Sequence, residues 1–133
     1  MKYIPIIVNG ESMAPLYPHN LKLLLDTTCM DYQLGDIVVF KQSGRIVIHR
    51  LVQIFGNRIA ITKGDHNTRV DRPIHLNQVL GKIVDIREGI DKIRVSQYSR
   101  FIAIICDRYG LDHPFSICIY DLFLQYLRSK TSV

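Results

Sequence analysis

The chain has 133 residues, 47% hydrophobic and 22% charged, a globular composition that excludes disorder and leaves enough chain for one domain with a real core. Seventeen Lys and Arg stand against twelve Asp and Glu, a formal charge of +5 with no block of five or more basic residues to focus it on a nucleic acid. No apolar run approaches the ~18–20 residues of a membrane-spanning helix, and Cys29, Cys106 and Cys118, without a CxxC pair, form neither a disulfide framework nor a thiolate zinc site.

The apolar start, Ile4 to Val8, is too short for a signal-peptide core. Up to about residue 96 the chain then reads as short Ile- and Val-rich runs, with strands predicted at 3–8, 21–26, 36–41, 45–54, 58–63, 79–87 and 93–96. Gly, Asn, Asp and Pro punctuate them, and Phe55-Gly56-Asn57-Arg58 has the chemistry of a tight hairpin. Short strands without intervening helical repeats predict a mainly β, antiparallel domain over residues 1–96, either a partly closed barrel or a pair of packed sheets. After Ser96 the period changes. Helices are predicted at 99–109 and 115–128, split by Gly110-Leu111-Asp112-His113-Pro114, which suits a helix end followed by a new start. This helical tail, 97–133, is expected to pack on the β domain or on a partner protein. Alternatively it lies on a membrane surface, with Arg100, Arg108, Arg128 and Lys130 meeting lipid.

Four clusters in the β part carry chemistry. They are Gly10-Glu11-Ser12-Met13-Ala14-Pro15, then Leu34-Gly35-Asp36, then Ile48-His49-Arg50, then Thr62-Lys63-Gly64-Asp65-His66-Asn67 with Asp71 beyond. They place one Ser in a Gly/Pro-bounded turn, one His inside a strand and two Asp past a strand end. Acyl transfer needs such a set. A hydroxyl is a poor nucleophile until a base takes its proton. Imidazole does this near neutrality, and a carboxylate on its other nitrogen fixes the tautomer and stabilises the imidazolium.

In this order, the boxes resemble those of the type I signal peptidase family over roughly residues 8–87. The resemblance implies the antiparallel β fold shared by signal peptidases and LexA-type repressors. It further implies a serine endopeptidase that cuts leader or signal peptides after small residues, with Ser12 as nucleophile. Where the bacterial branch has a Lys base, this chain has His49, and so is similar to the Ser-His branch that resembles the endoplasmic-reticulum enzyme. The resemblance puts the triad acid on Asp71 and gives Asp65 a supporting place, with Gly10, Met13, Lys63 and Gly64 around it. No cofactor or metal is implied.

Two departures matter. No anchor is expected before the Ser box, so the chain is expected in the cytoplasm or peripherally on a membrane. Gly10 stands where many members carry a hydroxyl that helps the oxyanion hole, and one such donor is typically worth ~2.7–4 kcal/mol. A peptide or precursor protein is the expected partner, with no nucleic acid. A non-catalytic peptide-binding relative and a LexA-type self-cleaving regulator are the alternatives.

Other readings of these residues differ in chemistry. Met13 and Pro15 suit a packed, rigid turn. Lys63 is a rival base, but a Lys must fall from ~10.4 to near 7 to serve, and it lies in a different box. Asp65 suits a turn cap, and His49, between Val47 and Leu51, suits a buried core His. His19, His66, His75 and His113 have no metal-ligand spacing and read as surface residues.

Overall fold

The computed structural model describes residues 3–13, 16–28, 31–56, 58–67 and 69–84, together with residue 97. The predicted strand at 93–96, Pro15 and, but for residue 97, the tail 97–133 lie outside the described residues. The elements are β1 (Tyr3–Ile7), β2 (Lys22–Asp26), β3 (Ile37–Gln42), β4 (Arg45–Phe55), β5 (Ile59–Lys63), β6 (Ile74–His75), a single 3-10 turn (Leu76–Gln78) and β7 (Val79–Val84). They form one seven-stranded sheet in the order β1-β2-β7-β3-β4-β5-β6, every neighbouring pair antiparallel. The fold class is thus mainly β. Among the described residues the sheet stays open, with β1 and β6 as its edges. β6 has no counterpart among the predicted strands: it is two residues long, follows Pro73, and forms only through pairing with Ile59 and Ala60.

Turn chemistry sets the register. Phe55 pairs with Ile59 across Gly56, whose φ of 58° needs glycine, so the expected hairpin forms. Gln42 pairs with Arg45 across Ser43 and Gly44, at φ of 51° and 76°. Positive φ at both central residues is the type I′ turn, whose twist matches that of the strands.

Alternation then divides β3 between two cores. Ile37 and Val39 join Val8, Met13, Leu16, Leu23, Ile48 and Val52 on one face. Val38 and Phe40 join Leu51, Ala60 and Ile74 on the other. Each such side chain, fully buried, contributes about 1.5–3 kcal/mol, and a one-residue slip of β3 or β4 would send each set into the core shaped for the other. That register sends consecutive His49 and Arg50 to opposite faces. Among the described residues no helix is long and apolar enough to cross a membrane.

Candidate active site

Val8 and Leu21 tie the ends of the loop that carries Ser12. Val8 N–H donates to the Leu21 carbonyl at 2.9 Å and Asn20 N–H to the Val8 carbonyl at 2.8 Å, so the loop ends meet. Inside it, Gly10 takes φ of 95° and its N–H donates to His19 Nδ1 at 2.9 Å. His19, read from the sequence as a surface residue, is exposed yet holds the loop two residues before Ser12. The Ser12 carbonyl accepts the His66 N–H at 2.8 Å. A Cβ added at Gly64 would lie 2.7 Å from that carbonyl, which accounts for glycine there. Met13 is buried beneath the turn, and its Sδ receives the Asp65 N–H at 3.4 Å.

His49 and Asp71 meet directly. His49 Nδ1 lies 2.5 Å from Asp71 Oδ2, the two side chains being 10% and 17% exposed. A carboxylate accepts only, so Nδ1 is the donor, and in the neutral imidazole Nε2 is then the acceptor. Thr62 holds Asp71 twice: its hydroxyl donates to Oδ2 at 2.7 Å, and its carbonyl accepts the Asp71 N–H at 2.8 Å. The Phe40 ring meets the imidazole edge-on, with centroids 6.4 Å apart.

Asp65 is engaged on the other side of β4. Arg50 Nε and Nη2 donate to its two oxygens, both at 2.8 Å, and Nη1 donates to the Gly35 carbonyl at 2.8 Å. The pair is sealed from water, at 0% and 1% exposure. One guanidinium therefore ties together the boxes around Gly35, Arg50 and Asp65, and Met13 joins the Ser box to them. Asp65 is not a turn cap, and it is Asp71 that touches His49. Lys63 is buried opposite Arg50, with Nζ donating to the Gly64 carbonyl at 3.3 Å.

A cleft of about 530 Å³ runs between the end of β1, the Ser12 loop and the first half of β4. Ser12, Met13 and His49 line it, whereas Lys63, Asp65 and Asp71 do not, Asp71 standing behind His49. Pairing of β4 with β5 begins only at Arg50, so among the described residues no strand covers that side of β4 over 45–49. The chain thus assembles a hydroxyl and an oriented imidazole on one cleft beside a free strand edge. The roles of Arg50, Thr62 and His19 were hidden from sequence reading, although the first two stand inside the quoted boxes. Among the described residues no group of three His, Cys, Asp or Glu side chains converges as a metal site would require.

A model of the family described as Peptidase S24-like matches residues 2–84, a span that contains every residue of this site. No curated protein and no solved structure matches the chain.

Proposed function

The chain belongs to the Peptidase S24-like family, and on that premise we propose that it is a serine endopeptidase that cuts leader or signal peptides after small residues through an acyl-enzyme. The observation that carries this reading is the His49–Asp71 bond on the cleft that Ser12 lines. An extended peptide adds to the free edge of β4, where main-chain pairing gives affinity with few side-chain contacts. His49 Nε2 takes the Ser12 proton as Oγ attacks the scissile carbonyl, and Asp71 stabilises the imidazolium formed. The tetrahedral intermediate collapses, His49 gives its proton to the leaving amine, and water then hydrolyses the ester by the same route. The Ser12 N–H is the chain's own oxyanion donor, since Gly10 brings no hydroxyl.

The test is a serine-directed covalent probe with mass mapping to residues 10–15, together with peptide cleavage by Ser12→Ala and His49→Ala. Both substitutions remove cleavage while the fold persists. Cleavage retained by purified Ser12→Ala protein overturns the reading. The family match also favours a second reading, a self-cleaving relative of the LexA type. That reading requires the purified chain to cut itself, visible as two fragments by mass spectrometry and absent from Ser12→Ala.

A further inference from the structure

The cleft is apolar along most of its wall, through Ile7, Val8, Ile46, Val47 and Ile48, and among the lining residues Arg45 alone carries a permanent charge. Arg45 is exposed and makes no ion pair or side-chain hydrogen bond with another described residue. A guanidinium presents a planar fork that fits a carboxylate with two parallel bonds. Here Arg45 lines a cleft with no acidic residue in its wall.

Strand geometry gives this charge an address. Across the Ser43-Gly44 turn, Gln42 and Arg45 are a hydrogen-bonded pair, as two-residue hairpins require. Pairs alternate along an antiparallel ladder, so Val47 and His49 also turn their backbone groups toward β3. Ile46 and Ile48 turn theirs to the uncovered side, ready to pair with a ligand strand. By the same pleat the side chains of Arg45, Val47 and His49 share one face. At ~3.3 Å per residue, Arg45 stands about 13 Å along the strand from His49. A peptide pairing with this edge, in either direction, lays every second side chain over that face.

We infer that Arg45 is a specificity-determining residue that selects a peptide with an acidic side chain four positions from the residue seated over His49. The residue two positions from that one meets Val47 and is uncharged. The inference rests on the peptidase reading for its ligand class and adds to it a charge requirement at one register position. Because Arg45 is solvated, the selection is modest and sensitive to salt.

The experiment uses the full chain carrying Ser12→Ala, so that ligand survives. Labelled ten-residue Ala/Val peptides carry Glu or Lys at each position in turn, and binding is read by fluorescence anisotropy. At one position Glu binds about fivefold tighter than Lys, and the ratio shrinks as salt rises. Adding Arg45→Glu reverses the preference at that position. Adding Arg58→Glu, an exposed charge outside the cleft, leaves it unchanged. Circular dichroism and the unfolding midpoint establish that each variant is folded. A preference that survives Arg45→Glu overturns the inference, as does binding blind to charge or no binding of any peptide. The peptidase reading is judged apart from this, by probe labelling of Ser12 in the unmodified chain. Labelled Ser12 with charge-blind binding removes only the role of Arg45. Unlabelled Ser12 with charge-selective binding removes the enzyme and leaves a selective peptide groove.

Discussion

Two adjacent residues of β4 each meet an aspartate from the segment that follows β5, and the two pairs have opposite characters. His49 lines the cleft with Asp71 behind it, a tenth and a sixth exposed, and their bond uses only the Nδ1 side of the imidazole. Arg50 and Asp65 lie under the Ser12 loop, with no water access and both carboxylate oxygens engaged. A pair that must pass protons needs an open valence and a route to its substrate. A pair that must hold three loops together needs neither, and a low-dielectric site strengthens its bonds. The pleat of one strand delivers both by sending neighbours to opposite faces.

The comparison breaks first, and most widely, at Asp71. Asp71→Asn removes the acceptor that keeps the proton on Nδ1, and kcat falls by about 10⁴-fold, or about 5.4 kcal/mol in the barrier. Its folding cost is smaller, about 1–2 kcal/mol for weakened hydrogen bonds that water partly replaces. Peptide-cleavage kinetics and urea unfolding on one preparation check both figures. Asp65→Asn ranks the other way. It leaves the Arg50 guanidinium buried beside a neutral amide, and stability falls by about 3–5 kcal/mol in the same urea assay. Adding Arg50→Met to Asp65→Asn removes the stranded charge and recovers much of that loss. Equal stability losses from Asp71→Asn and Asp65→Asn would erase the distinction between the two pairs.

Much of this was legible in the residues. Period-two runs and turn residues located β1 to β5 and the start of β7 to within a residue or so, and Phe55 to Arg58 closes as a hairpin because Gly56 tolerates positive φ. The motif order pointed to Ser12, His49, Asp65 and Asp71. The resemblance it carried put the acid on Asp71 and gave Asp65 a supporting place, whereas the residues taken alone did not say which aspartate meets which neighbour. That depends on register, the pairing of Val38 with His49 and of Arg50 with Lys63, and a slip of one residue would exchange the faces of His49 and Arg50. Thr62 was unreadable for the same reason: its neighbour is nine positions away and reaches it across the turn at Gly64–Asn67, where the Asn67 N–H donates to the Gly64 carbonyl. β6 escaped because two residues carry no period at all.

Thr62 gives the finest cut between the pairs. It is fully buried, yet its hydroxyl donates to the Asp71 oxygen that also meets His49 Nδ1. Thr62→Val keeps the branched shape and the strand preference while deleting that donor. No orphaned donor is created, and Asp71, being part-exposed, can take a water in its place, so the cost sits near 1.5 kcal/mol, the low end for a bond to a charged group. The Thr62 carbonyl still accepts the Asp71 N–H, so the backbone of the acid stays put and only its carboxylate gains freedom. That loss belongs in kcat, about tenfold, with KM unchanged, because the substrate edge at 45–49 is untouched. Thr62→Ser restores the hydroxyl and with it most of kcat. If Thr62→Val instead lowers stability by as much as Asp65→Asn and leaves kcat alone, Asp71 is a structural anchor like Asp65, and the division of labour across β4 fails.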